Sequence, residues 1–260
     1  METVKVRRMD PSGVVEIVLN RADALNAIST EHARAITAVG RGLAEDKTMR
    51  AVILTSSSER AFCVGADLKE RQAFTDDDLR RQRLLTRETY RSILDLPVPT
   101  IAAVHGYALG GGFELALSCD LIVVDDTAVL GLPEVSVGLV PGGGGTQLLA
   151  RRIGWGRAAD LTFTARRIDG EEAYRMGIAD RLVMSGEARE RALELARGIA
   201  GNSPVGVRNV KRAMRLGMDG SLAAGMEIED AAWRATAFSP DRKEGIAAFN
   251  EKREPDWPGL

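Results

Sequence analysis

Apolar residues fall along this chain in short bursts with the character of strands, and most bursts are followed by a run with the period of a helix. Val14-Val15-Glu16-Ile17-Val18-Leu19 and Ala51-Val52-Ile53-Leu54-Thr55 are β-branched and almost continuously apolar, as strands covered on both faces must be. Ile101-Ala102-Ala103-Val104 and Leu121-Ile122-Val123-Val124 repeat the pattern. Ser29 or Thr30 can cap a helix with Ala33, Ile36, Val39 and Leu43 on one face. Thr75, with Asp78 three residues on, makes a capping box for a charged helix that runs to about Asp95. Pro97 and Pro99 stop it, and Arg80, Arg81, Arg83 and Arg87 are expected on its exposed face. Strand, turn and helix thus alternate over residues 14–125, which predicts a mixed α/β fold.

From Thr146 onward the pattern is mainly helical. Asp169 and Glu172 open one helix, and Ile178 to Val183 reads as a short extended segment. Ser203-Pro204 and Ser239-Pro240 each place an N-cap before a proline at the first helical position. The last helices have apolar faces (Val207, Val210, Ala213, Met214; Ile246, Ala247, Phe249) without a core of their own. They need a partner, in the preceding domain or in other subunits. A boundary near residue 200 is expected, giving a catalytic domain 1–200 and a helical region 201–260. Trp233 and Trp257 are expected to pack between helices.

Composition narrows the function classes. The 260 residues are 45% hydrophobic and 28% charged, as in ordinary globular proteins. A net charge of −2 provides no electrostatic case for nucleic acid or an anionic membrane. Met1 to Met9 lack the apolar run of a signal peptide and no stretch reaches transmembrane length, so a cytoplasmic protein is the expectation. Cys63 and Cys119 form neither a metal spacing nor a disulfide framework. His32 and His105 show no ligand or nucleophile–base spacing, and His105, at the end of a buried strand, reads as structural.

Candidate chemistry concentrates between His105 and Gln147. Gly110-Gly111-Gly112-Phe113-Glu114 is followed twenty residues later by Glu134, and then by Pro141-Gly142-Gly143-Gly144-Gly145-Thr146-Gln147. Glycine lets main chain approach a ligand closely and frees N–H groups as donors. Glu114 lies in an apolar helical turn, and Glu134 between Leu132-Pro133 and Val135. Carboxylates beside bare donors suit proton transfer next to a developing oxyanion.

Ala61-Phe62-Cys63-Val64-Gly65-Ala66-Asp67-Leu68-Lys69, Gly106 through Ala116, Pro133-Glu134 and Pro141 through Gln147 together resemble the successive signatures of the crotonase superfamily, the enoyl-CoA hydratase/isomerase family. The resemblance extends over essentially the whole chain. It implies a crotonase-like spiral of ββα units followed by a C-terminal helical oligomerisation region, in a homotrimer or a hexamer made as a dimer of trimers. It implies an acyl-CoA substrate, with coenzyme A as part of the substrate and with no metal or redox cofactor. The oxyanion hole would be the N–H groups of Ala66 and Gly111. Glu114 would deprotonate a water, and Glu134 would deliver a proton to Cα. Gly142 would sit beside that water. Val64, Gly65, Ala66, Asp67 and Lys69, with Ala24 and Leu25, would receive coenzyme A, and Lys252 would approach its nucleotide from a neighbouring subunit. Many relatives carry lysine where Asp23 stands; a carboxylate cannot pair with phosphate, so no contact is assigned there.

Retention of both glutamates favours hydration of a 2-enoyl-CoA, in fatty-acid or branched-chain acid breakdown. An enoyl-CoA isomerase is the alternative, as is methylglutaconyl-CoA hydratase of leucine degradation, which the stretches Gly65 to Arg71 and Leu96 to Ala103 also resemble. The animal form of that hydratase is similar to an RNA-binding protein with a lysine-rich early helix. The matching helix here carries only Arg34 and Arg41 beside Glu31 and Glu45, so RNA binding is not expected.

Overall fold

Strands that are apolar at nearly every position can be buried only where both faces of a sheet are covered, and this requirement organises the chain. A computed structural model describes residues 2–9 and 12–260; Met1, Asp10 and Pro11 lie outside the described residues. In chain order the strands are β1 (Val4–Arg8), β2 (Val14–Leu19), β3 (Ala51–Ser56), β4 (Ala61–Cys63), β5 (Thr100–Val104), β6 (Tyr107–Leu109), β7 (Leu121–Asp125), β8 (Val129–Gly131), β9 (Ile168–Asp169) and β10 (Arg181–Val183). The helices are α1 (Thr30–Ala44), α2 (Leu68–Arg71), α3 (Asp76–Leu94), α4 (Gly111–Leu117), α5 (Gly145–Ile153), α6 (Trp155–Thr164), α7 (Gly170–Met176), α8 (Ala188–Ala200), α9 (Pro204–Gly217), α10 (Leu222–Ala237) and α11 (Pro240–Glu251).

One sheet has the order β1-β2-β3-β5-β7-β10 and the other β4-β6-β8-β9. From β2 to β10 the first sheet is parallel, with Val14 opposite Ala51 and Ile101 opposite Leu121. β2 leads to α1 with no strand between them, and three further long strands of the first sheet are each followed by a short strand of the second and then by helix: β3–β4–α2–α3, β5–β6–α4, β7–β8–α5. This is the ββα spiral. The expected strands, the capping box at Thr75 and the proline-started helices all form. The extended segment at Ile178 shortens to β10. The strands β1, β6, β8 and β9 carry no clear pattern, being short or, in β1, alternating with charge.

The two faces of the first sheet are sorted by the period of two. Val15, Ile17, Val52, Leu54, Ala102, Val104, Ile122 and Val124 enter the main core. Val14, Ile53, Ile101, Ala103 and Val123 face α8, through its Ala192, Leu193 and Ala196. Glu16 is fully buried, and Arg189 at the start of α8 grips it at 2.7 and 3.0 Å while the Thr55 hydroxyl donates at 3.0 Å. Burial alone would raise the Glu16 pKa; the Arg189 and Thr55 hydrogen bonds outweigh it and hold the carboxyl below its ordinary value.

The boundary expected near residue 200 falls in the turn between α8 and α9. Beyond it α9 is tied to the spiral by charge. Lys211 Nζ donates to Asp120 at 2.7 Å and to Val98 O at 2.8 Å, and Arg215 reaches Asp120 at 2.8 Å. Trp257 does pack: it covers Gly245 and donates to Gly201 O at 2.7 Å. Trp233 does not, being 63% exposed in the single chain. Helix α10 buries no residue at all, and Leu222, Phe238 and Phe249 are also open to solvent. Among the described residues no helix is long and apolar enough to cross a membrane.

The Asp120 cluster yields a direct test. Burial pulls the Lys211 ammonium below its ordinary value in spite of Asp120, so removing the acid leaves a buried cation unpaired. Asp120→Ala is expected to cost about 3 kcal/mol in urea unfolding, and Lys211→Met, which removes the buried charge itself, clearly less. A loss under about 1 kcal/mol for Asp120→Ala would mean that the cluster behaves as a surface pair.

Candidate active site

The oxyanion-hole candidates lie where two backbones touch. Gly65 has φ +85°, and a Cβ there would stand 2.9 Å from Gly111 N and 2.7 Å from Leu109 O. A Cβ on Gly112 would overlap Cys63 O. Glycine at these places is what lets the end of β4 lie against the start of α4. Gly111 is the first residue of α4, where N–H groups have no intrahelical acceptor. Among the described residues neither Ala66 N nor Gly111 N has a protein acceptor. Two unused main-chain donors on adjacent segments are suited to a developing oxyanion.

The segment bearing Ala66 is held by an isolated bridge to Ile28. Ile28 N donates to Gly65 O at 2.7 Å, Asp67 N to Ile28 O at 3.2 Å, and Val64 N to Leu25 O at 3.2 Å. Leu25, left-handed at φ 51°, and Ala24 thus lie beside Val64. The Asp67 carboxylate is engaged internally: it accepts from Arg21 at 3.1 Å and from Glu70 N at 3.2 Å as the cap of α2. Lys69 is exposed on α2. Lys252 is set apart from these residues, at the left-handed end of α11.

Glu114 is 2% exposed, and its Oε1 accepts from Gly143 N at 2.7 Å and Gly145 N at 2.8 Å. Burial raises its pKa, and those amide donors oppose the rise. Glu134 opens the 3-10 turn Glu134–Val137. Its Oε1 faces Gly110, 2.9 Å from where a Cβ would be, and its Oε2 is buried without a partner. Burial, reinforced by the charge of Glu114, pushes Glu134 up to about 7. The two carboxyls therefore share one electrostatic environment but differ in support. Glu114 is solvated by amides, which favours its ionised form, whereas Glu134 takes up a proton near neutrality.

Tyr90 on α3, to which the sequence reading assigns no role, closes the space between these groups. Its ring lies against Gly143 and its hydroxyl against Gly111. Burial, followed by the charge of Glu114, raises its pKa well above the ordinary value, so it stays a phenol. Gly142 offers its carbonyl to Arg83 Nη1 at 2.6 Å. The amide grip of Gly143 and Gly145 on Glu114 also escapes the sequence reading. A signal exists for Tyr90, since Gln82, Thr86, Thr89, Tyr90 and Ile93 recur at helical spacing on the buried face of α3. None exists for the amides, because any residue supplies an N–H. Cys63 is inert, its thiol pushed up to about 12 by burial. His105 Nε2 lies 2.6 Å from Ser58 O. A cavity of about 670 Å³ lies between the Ser56-to-Arg60 loop, His105 and Arg189 and contains neither glutamate. Buried charge, not volume, locates the site.

Glu134 makes stability depend on pH in a defined direction. Its folded pKa of about 7 exceeds the ordinary 4.5, so the stability it contributes is fully present below 4.5 and is lost as pH rises through 7. Glu134→Gln is therefore expected to gain stability over the parent between pH 5 and pH 8, by about 1 kcal/mol or more. Urea unfolding at the two pH values checks this, and an unchanged difference would show that Glu134 is not raised.

Known proteins match the chain over nearly its whole length. The family model described as enoyl-CoA hydratase/isomerase matches residues 9–259. Mouse enoyl-CoA hydratase domain-containing protein 2, mitochondrial, is 41% identical over 251 residues, covering 95% of this chain and 85% of that one. Mouse mitochondrial methylglutaconyl-CoA hydratase is 39% identical over 264 residues, covering 99% and 84%. The crystal structure of an enoyl-CoA hydratase from Bacillus anthracis superposes with a TM-score of 0.97 at 40% identity, covering 99% of this chain and 100% of that one. A match of this extent shows that the chain belongs to the enoyl-CoA hydratase/isomerase family of the crotonase superfamily.

Proposed function

We propose that this enzyme adds water across the double bond of a 2-enoyl-CoA to give a 3-hydroxyacyl-CoA, in the breakdown of fatty or branched-chain acids. The observation that carries the reading is the pairing of Glu114 with Glu134 beside the free N–H groups of Ala66 and Gly111. The thioester oxygen accepts from both N–H groups, which stabilises the enolate formed as water attacks C3. Glu114, with Oε1 fixed by Gly143 and Gly145, accepts the proton of the attacking water. Glu134, protonated near neutrality, delivers a proton to Cα. Glu114 then holds the proton that Glu134 has lost, and its transfer between the two carboxyls or through water before the next turnover restores both, so no net acid or base is consumed. Because the carboxyls are coupled, their titration belongs to the pair.

Coenzyme A would lie along Val64 to Lys69 with Ala24 and Leu25. In this stretch Ala66 N is left without a protein acceptor among the described residues, the Asp67 side chain is already engaged, and Lys69 is exposed to meet phosphate. Helices α9 to α11 would assemble the chain as a trimer or a dimer of trimers. The apolar faces of α10 and α11 support this, since Trp233 and Phe249 are respectively 63% and 84% exposed in one chain. Lys252 would then serve the site of a neighbour.

Two outcomes test this reading. Glu114→Gln and Glu134→Gln are each expected to lower crotonyl-CoA hydration by about 10²–10⁴, and the double variant to be far less than additively worse. If Glu114→Gln leaves migration of a 3-enoyl double bond fast while Glu134→Gln abolishes it, Glu134 is the sole base and the chain is an isomerase. Light scattering is expected to return a mass that is a multiple of three 28.0 kDa chains; a monomer at micromolar concentration would remove both the assembly and the role of Lys252.

A further inference from the structure

We propose that the Tyr90 phenol is a third donor of the oxyanion hole, its O–H joining the N–H groups of Ala66 and Gly111 on the thioester oxygen as that oxygen becomes an enolate. It rests on the acyl-CoA reading above and adds a side chain to a hole otherwise made of main chain.

The position follows from what surrounds Gly111. A Cβ on Gly111 would run into the Tyr90 hydroxyl oxygen and would lie 3.6 Å from Gly65 Cα. The phenol oxygen therefore rests against Gly111 on the side that faces Gly65, the neighbour of Ala66. It stands where the two donor segments meet. The ring is fixed from the other side, since a Cβ on Gly143 would stand 2.5 Å from its Cε2 and 2.6 Å from its Cζ. Two glycines thus make room for one aromatic side chain that is 8% exposed.

The hydroxyl is unused within the protein. Among the described residues it makes no hydrogen bond, and Gly111 N, although adjacent, does not donate to it. It is not sealed in either. Among the described residues the unpaired side-chain nitrogens and oxygens closed off from solvent belong to His32 and Glu134, so the Tyr90 oxygen keeps an opening. The nearby Glu114 Oε1 already receives Gly143 N and Gly145 N. A buried tyrosine hydroxyl ordinarily has a partner. A ligand oxygen held by Ala66 N and Gly111 N would lie about 3 Å from each, beside the phenol, and would give its proton an acceptor. Burial, followed by the charge of Glu114, keeps Tyr90 protonated, so it meets that oxygen as a donor. Its bond strengthens as negative charge collects there.

Tyr90→Phe removes one oxygen and keeps the ring against Gly143. Acetoacetyl-CoA, a 1,3-dicarbonyl that ionises to an enolate with its own ultraviolet absorbance, serves as the charged probe, and butyryl-CoA as the neutral one. The variant is expected to bind the enolate about 10–100-fold more weakly, the scale of a hydrogen bond to a charged group, and to show its absorbance only at higher pH. Affinity for butyryl-CoA should fall far less. In crotonyl-CoA hydration the loss should appear in kcat, with KM little changed. Unchanged enolate binding overturns the proposal and leaves Tyr90 as packing, as does a parent chain that binds acetoacetyl-CoA without any enolate absorbance. Equal weakening of both ligands overturns it as well, since the contact would then be made equally to the neutral thioester. Slower hydration with unchanged enolate binding would assign the phenol to the attacking water instead. A selective loss of enolate binding, in a protein whose parent hydrates no enoyl-CoA, would sustain the third donor and sink the hydratase reading.

Discussion

The burial of Glu114 is the constraint on which the rest of the site depends. A carboxylate that is 2% exposed must be protonated, paired or solvated by the protein. Here Gly143 N and Gly145 N do the solvating. That solution demands a loop able to bring two main-chain donors to one oxygen. A Cβ on Gly145 would stand 3.0 Å from that same oxygen, and one on Gly143 would run into Tyr90. The glycine run is therefore less a flexible hinge than a mould around one carboxylate.

The second carboxyl gains its properties by contrast. Glu134 lies partly buried with only its own main-chain N–H to oppose the rise, and feels the charge of Glu114, so its proton is held to about pH 7. One fold thus gives the same side chain two different environments. The mould and the contrast both need β4 and α4 in van der Waals contact, which Gly65 and Gly112 permit. The parallel sheet supplies the rigidity behind them, since β5 and β7 are covered by the main core on one side and by α8 on the other.

The C-terminal helices follow a different logic. They are joined to the spiral through polar contacts, with Asp120 receiving Lys211 and Arg215, and to one another by Asp241, which accepts from the Ser203 hydroxyl at 2.6 Å. Their apolar side chains remain outside. Ion pairs of this kind set where α9 sits but bury little apolar area, so the stability of the region is linked to whatever covers Trp233 and Phe249.

The sequence by itself determined the periodic parts. Strands β2, β3, β5 and β7 follow from nearly unbroken apolar runs, and α1, α3, α9 and α11 from their caps, because both signals are local. It also marked the glycines and the two glutamates, since a charged residue among Phe113, Leu115 and Leu117 is conspicuous. What only the tertiary structure decided is which partners meet. The short strands β6 and β8 exist through parallel pairing with distant segments, Tyr107 lying opposite both Ala61 and Val129. Asp67 turns to Arg21, Trp233 lies open, Tyr90 reaches Gly111, and Arg83 crosses to Gly142. Main-chain donors leave no mark on residue identity, and long-range contacts depend on how elements pack. Those are the two quantities that a local pattern does not contain.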